Sequence, residues 1–291
     1  MSQSKSILVT GADGLLGRHL LEQATRTHRV HALVRQPPSQ PWPGVQYHTI
    51  NLSSDWDAGA LPPSGIDSIV HLAQSAHFRE VPEKSLDVFG VNVASTAKLL
   101  DYAWRTGVRR FVYASSGGVY GGGSGVFHEN SPLTPGGQLG YYLGSKLCGE
   151  VLTQGYASHI QVCVLRFFFI YGKGQNRSML IPRLVDSVLE GRPINLTGPH
   201  GLRINPIHAS DAAAAVLASL ASQQSATYNV AGDEIVTLRG LCEKIESLTR
   251  VRGLYNENLG TPTDMVADIS AMKAALHQPK VCLDEGLKDL L

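Results

Sequence analysis

The apolar and polar positions of the chain fall into blocks whose period changes from strand-like to helical and back. Ile7-Leu8-Val9-Thr10, Val30 to Val34, Val45 to Leu52, Asp67 to Ala73, Arg110 to Ser115 and Gln161 to Phe168 are short apolar runs. Their length and β-branched content predict buried parallel strands. Between them, Arg18 to Glu22, Pro82 to Gly107 and Tyr141 to His159 have helical spacing, with Pro82 suited to a first turn and Gly107 to a stop. Strands and helices alternating at this pitch predict an α/β fold, a doubly wound parallel sheet covered on both faces. Beyond Tyr171 the alternation becomes irregular. Helices are expected over Met179–Glu190, Asp211–Ala221, Leu238–Arg250, Ile269–Leu276 and Leu283–Leu290, and a strand over Ala226–Val230.

The first strand runs into Gly11-Ala12-Asp13-Gly14-Leu15-Leu16-Gly17 and then a helix. Glycines suit such a turn because the backbone must approach a pyrophosphate closely, while the helix N-terminus supplies amide donors and a positive dipole end. The spacing is Gly-x-x-x-Gly in outline, since Ala12 stands where a second glycine would be. In such a Rossmann-type fold an acidic residue at the end of the second strand holds the adenosine ribose. Arg35 stands there, and an arginine attracts a 2′-phosphate that a carboxylate would repel, so NADP(H) is preferred, with NAD still open. The alternative is a solvated arginine at a strand end. Asn51-Leu52 ends the third strand where an adenine ring is flanked, and His71-Leu72-Ala73-Gln74 ends the fourth, at the sheet edge where open α/β folds bind ligands.

The fifth strand opens into Ser115-Ser116-Gly117-Gly118-Val119-Tyr120-Gly121, and the glycine- and proline-rich stretch that follows to Gly140 reads as a mobile loop over the site. Tyr142 and Lys146 stand four apart on the next helix and so share one face. A lysine ammonium beside a phenol favours the phenolate, which allows the tyrosine to trade a proton with an alcohol or carbonyl near neutral pH.

Composition narrows the function classes. The 291 residues are 43% hydrophobic and carry a formal net charge of +1, so charge gives no case for nucleic acid or an anionic membrane as partner. No apolar run approaches the roughly 18 residues a membrane span needs. Met1 to Ser6 offers no signal-peptide core, and a cytoplasmic protein is expected. Cys148, Cys163, Cys242 and Cys282 are scattered without a Cys-x-x-Cys pair, so reduced thiols and no metal site are expected.

Taken together, Thr10 to Gly17, Tyr113 to Gly121 and Tyr142 to Lys146 resemble the extended short-chain dehydrogenase/reductases, and within them the nucleotide-sugar epimerase/dehydratase group. Leu165-Arg166-Phe167-Phe168-Phe169-Ile170-Tyr171-Gly172 and Tyr228-Asn229-Val230-Ala231-Gly232 are similar to later signatures of that family. The resemblance implies a dinucleotide-binding Rossmann domain over residues 1–170, completed by about 206–232. Residues 171–205 and 233–291 would form a smaller substrate-binding lobe. It implies Ser116, Tyr142 and Lys146 as catalytic residues, with Tyr142 the general acid/base. The cofactor set would be Gly11, Asp13, Gly14, Leu15, Leu16, Gly17, Arg35, Asn51, Leu52, Leu72, Ala73, Gln74, Asn92, Tyr142, Lys146 and Phe168. On the substrate side, Ser116, Phe169 and Arg203 would meet the ligand, with Arg203 gripping a nucleotide diphosphate.

Two departures bear on the reaction. Gly117 and Gly118 stand where the dehydratases carry an Asp-Glu pair, and Phe169 stands where many relatives have an asparagine. The main expectation is an NADPH-dependent reductase of a nucleotide-linked 4-keto sugar. The alternatives are a nucleotide-sugar epimerase that recycles its own NAD(P) and, more remotely, a non-catalytic NADP(H)-binding regulatory protein. A homodimer through helices Pro82–Gly107 and Tyr141–His159 is also implied.

Overall fold

Strand β1 (Ser6–Thr10) lies at the centre of a parallel sheet, flanked by β2 (Arg29–Val34) on one side and β4 (Ser68–His71) on the other. The computed structural model describes residues 4–291. The sheet continues outward through β3 (Val45–Thr49) beyond β2, and through β5 (Arg110–Ser116), β7 (Gln161–Phe167) and β12 (Ala226–Val230) beyond β4. The seven strands thus stand in the order β12-β7-β5-β4-β1-β2-β3, all parallel. The order reverses at β1, so the crevice outside the C-terminal ends of β1 and β4 is a switch point of the kind that receives ligands.

Helices cover both faces. Helix α1 (Leu15–Ala24) packs on α6 (Ala209–Ser219) over one face, around a core containing Leu20, Ala213 and Val216. On the other face, α3 (Ser95–Thr106) packs beside α4 (Gly140–Gly155), over a core containing Leu99, Phe111 and Tyr113. A third core joins α5 (Leu180–Leu189), α7 (Leu238–Thr249) and α9 (Leu283–Lys288) through Val185, Leu241, Ile245 and Leu287.

The structure departs from the sequence pattern in three places. The single helix expected over Pro82–Gly107 is divided into α2 (Ser85–Phe89), a π-helical turn (Gly90–Ala94) and α3. The wide turn lies where Asn92 sends both ends of its amide inward and where Gly90 packs against the Ser53 carbonyl. The glycine-rich stretch after Ser116 is tied down by tertiary contacts. Its β6 (Val126–Phe127) pairs with β15 (Val266–Ala267), Gly123 and Asp264 exchange backbone hydrogen bonds, and the Glu129 carboxylate accepts from the Asn229 amide. Those partners lie a hundred or more residues away, beyond the reach of local pattern. Finally, β9 (Pro193–Thr197) and β14 (Leu254–Asn258) form a parallel pair that the irregular C-terminal spacing concealed.

Candidate active site

The turn after β1 is built to bring backbone close to a ligand. Gly11 has φ +66, and a Cβ there would sit 2.8 Å from the Ala73 nitrogen. A Cβ on Gly17 would run into the Gly11 carbonyl, so helix α1 can pack against the turn only with glycine there. Gly14 precedes α1 in extended conformation, donates its amide to the Gly11 carbonyl at 3.1 Å, and leaves the helix without a side-chain cap or an acidic residue in its first turn. The amides of Leu15 and Leu16 thus begin a helix whose positive end faces the crevice, and the residues fit a dinucleotide pyrophosphate. Asp13 is exposed and offers only its carbonyl, which accepts from Arg18 at 2.9 Å. Arg35 is exposed at the end of β2.

Thr10, His71 and Thr96 brace this crevice from behind. The Thr10 hydroxyl stands 2.7 Å from His71 Nδ1 and accepts the Ala73 amide at 3.1 Å, while His71 Nε2 stands 3.0 Å from Thr96. Complete burial lowers the His71 pKa to about 3, with the nearby Lys146 charge adding to the effect, so the ring is neutral. This bridge between β1, β4 and α3 fixes where Leu72 and Ala73 border the crevice. Sequence reading passed over it, because a histidine in a strand gives no sign of what it will bond.

Strand β5 and helix α4 carry Ser116, Tyr142 and Lys146. Ser116 ends β5 and accepts the Gly118 amide at 3.1 Å. The Tyr142 hydroxyl donates to Gln74 Oε1 at 2.9 Å, and its ring packs on Phe78 at 4.9 Å between centroids. Burial pushes the Tyr142 phenol up to about 12, and the Ser116 hydroxyl opposes that rise. Lys146 is buried, donates to the Ala114 carbonyl at 3.1 Å and lies over the Tyr113 ring at 5.5 Å. Burial lowers its pKa to about 8. The shared helix face therefore does not place the ammonium against the phenol as the spacing suggested. Lys146 is drawn to the strand carbonyl instead, and Tyr142 is governed by burial.

Other expected residues have structural partners of their own. Asn92 accepts the Ser75 amide at 3.1 Å and donates to Ser145 at 2.9 Å, so its amide is occupied within the protein. Asn51 uses its side chain to organise the turn at Ser53, and Leu52 is in the core. Phe168 is 1% exposed, and its ring occupies the space beside Gly117, which makes it part of the core rather than a groove surface. Phe169 is half-buried with φ +44, a left-handed conformation uncommon for a bulky residue, at the seam between the first and third cores. Arg203 is half-exposed and held by Asp264, whose carboxylate accepts from Arg203 Nε at 2.8 Å and from its backbone amide at 2.7 Å.

Beneath the site lies a buried ion pair that sequence reading also passed over. Arg166 on β7 donates to both oxygens of Glu150 on α4, to the Tyr120 hydroxyl and to the Glu129 carbonyl. Glu150 in turn accepts from Ser115, the neighbour of Ser116. One turn separates Glu150 from Lys146, so this network fixes α4 against β5 at the level of Ser116 and Lys146.

Comparison with known proteins agrees with this geometry. A protein described as an uncharacterized UDP-glucose epimerase of Bacillus subtilis is 28% identical, over 97% of this chain and 95% of its own. The UDP-glucuronate 4-epimerase of Thermodesulfobacterium geofontis is 28% identical over 77% of this chain and 71% of its own. Among solved structures, the UDP-glucuronic acid 4-epimerase from Bacillus cereus, in complex with UDP-glucuronic acid and NAD, superposes with a TM-score of 0.85. It is 25% identical, covering 98% of this chain and 97% of that one. The sequence profile described as "NAD dependent epimerase/dehydratase family" matches residues 7–231, and the chain belongs to that family, within the extended short-chain dehydrogenase/reductases.

Proposed function

We propose that the protein is a nucleotide-sugar 4-epimerase that regenerates its own dinucleotide in each turnover. The packing beside Ser116 carries this reading. A Cβ on Gly117 would meet the Phe168 ring, and one on Gly118 would lie 2.7 Å from Leu143, so no acid–base pair for elimination of water can stand there. What remains is a set that handles one proton: Ser116, Tyr142 and Lys146. Resemblance to epimerases along nearly the whole chain favours this reading over the reductase expected from sequence. Arg35 alone favours the reductase and NADP(H), because its exposed guanidinium suits a 2′-phosphate.

The residues divide the work as follows. Ser116 and Tyr142 hold the reacting sugar oxygen, and Tyr142 takes the hydroxyl proton as the C–H bond at the same carbon breaks. A dinucleotide held by the Gly11–Gly17 turn and Lys146 would supply the hydride acceptor and donor. When the C–H bond re-forms on the opposite face of the sugar, Tyr142 gives the proton back, so protons and electrons balance over the turnover. Lys146 keeps N–H donors for the ribose hydroxyls, and Arg203, steadied by Asp264, offers a guanidinium edge to the diphosphate. The smaller lobe, residues 171–205 and 233–291, would close on the sugar.

A homodimer fits the exposed apolar side chains on adjoining helices, Leu86 and Phe89 on α2, Trp104 on α3, and Tyr141 and Val151 on α4.

The test is to incubate the purified protein with UDP-glucose or UDP-glucuronic acid without added cofactor, follow the sugar by proton NMR, and identify the nucleotide released on denaturation by mass spectrometry. Accumulation of the C4 epimer with the dinucleotide recovered intact is expected. Stoichiometric consumption of NADPH with a reduced sugar as product would replace this reading with the reductase.

A further inference from the structure

Gln74 follows β4 at a place expected to line the cofactor groove, yet its side chain accepts the Tyr142 hydroxyl at 2.9 Å. We propose that Gln74 is a positioning residue for Tyr142, a neutral partner able to pair with the phenol in both of its protonation states. The inference rests on Tyr142 being the acid/base of the epimerase proposed above. A side-chain amide carries one acceptor oxygen and two N–H donors. With the neutral phenol its oxygen accepts, as observed, and with the amide turned over its nitrogen donates to the phenolate. A carboxylate can do only the first, and an ammonium, which can donate to either form, biases the pair toward the phenolate by its charge. A reaction that takes Tyr142 through both forms in one turnover is therefore served by a partner whose charge never changes.

The Tyr142 hydroxyl is bonded to Gln74, and the Ser116 hydroxyl is the other neutral polar group beside it. Phe78 covers the Tyr142 ring, and Arg79 lies over Phe78 at 5.0 Å while donating to the Ser178 carbonyl, which ties the segment to the neighbouring lobe. Near the phenol and the segment that bears Gln74 stand Lys146 on α4, Tyr113 on β5, Asp87 on α2, which accepts from Ser75, and His77, Arg79 and Glu80 on the segment itself. Lys146 is engaged with Ala114, Tyr113 with the Lys146 carbonyl, and His77 with Glu80.

The experiment is NMR of the dinucleotide-bound protein labelled with ¹³Cζ-tyrosine, the Tyr142 signal being identified by its loss in Tyr142→Phe. Gln74 is exposed, so substitutions there leave the core untouched. Gln74→Lys is expected to move the Tyr142 midpoint down by about one pH unit or more, and Gln74→Glu to move it up. Gln74→Met is expected to lower kcat about tenfold while KM and dinucleotide affinity stay within about twofold of the native chain. Unmoved midpoints in both charged variants overturn the inference, as does a Gln74→Met loss confined to dinucleotide affinity. Because the titration needs no sugar, moved midpoints in a protein that fails to epimerise would sink the proposed function and leave the role of Gln74 standing.

Discussion

Two buried cations lie close to each other in this fold and are treated in opposite ways. Arg166 is answered on every side: Glu150 takes two of its nitrogens, Tyr120 and the Glu129 carbonyl take the rest, and these hydrogen bonds, with the Glu150 charge, raise its pKa despite burial. Lys146, one turn before Glu150 on the same helix, has a backbone carbonyl and an aromatic face, and burial lowers its pKa. A buried charge paired this fully is structural, since its partners are supplied by the chain. One left short of partners costs stability and is retained where a ligand completes it. The contrast separates a cation whose partners the chain supplies, Arg166, from one with room for a ligand, Lys146.

The comparison breaks first at Glu150. Glu150→Gln leaves the Arg166 guanidinium buried without its counter-charge, and about 3–5 kcal/mol of stability should be lost in chemical denaturation. Replacing both partners with apolar residues, Glu150→Leu with Arg166→Met, should recover most of that loss while lowering kcat, because α4 is no longer pinned to Ser115. A double variant as unstable as the single one would mean that the pair contributes net stability in its own right.

Lys146→Met tests the other side with the sign reversed. The folded pKa of Lys146 falls from 10.5 to about 8, so between those values the unfolded chain holds a proton that the folded chain has released. Stability of the native protein should therefore rise with pH across that window, and the penalty is complete below it. Without added dinucleotide, Lys146→Met should be more stable than the native chain near neutrality by about 3 kcal/mol, with the gap closing by pH 10.5. Dinucleotide affinity should fall at the same time. A Met variant that is less stable at pH 7 would show that Lys146 is paired more strongly than its geometry indicates.

The smallest effect is expected at Arg35, which is exposed and touches none of this network. Arg35→Asp should weaken NADP(H) binding about tenfold relative to NAD(H), measured by titration of both, with stability unchanged. An unchanged preference would make Arg35 a solvated strand end and leave NAD as the working cofactor.

Much of the site could be read from the residues in order. Gly11, Gly14 and Gly17 were legible because the reason for them is local: a turn that must pass close to its own backbone admits no side chain. Tyr142 and Ser116 were legible as candidates only through the resemblance of their motifs to those of the family. What Lys146 does to Tyr142 was not, because spacing along a helix says which side chains share a face and not which partner each will choose. Asn92 and Phe168 were expected in the groove from the family resemblance. Each is claimed by a contact with a distant element, Ser75 and Ser145 in one case and the space beside Gly117 in the other.

The fold class, the parallel strands and the tight glycine turn were determined by the sequence alone, since periodicity and backbone sterics act over a few residues. Tertiary structure alone decided the ion pair under the site, the anchoring of the stretch after Ser116, the pairing of Gln74 with Tyr142 and the hold of Asp264 on Arg203. Burial and hydrogen-bond choice depend on which surfaces meet, and those surfaces come from segments that lie far apart in the chain.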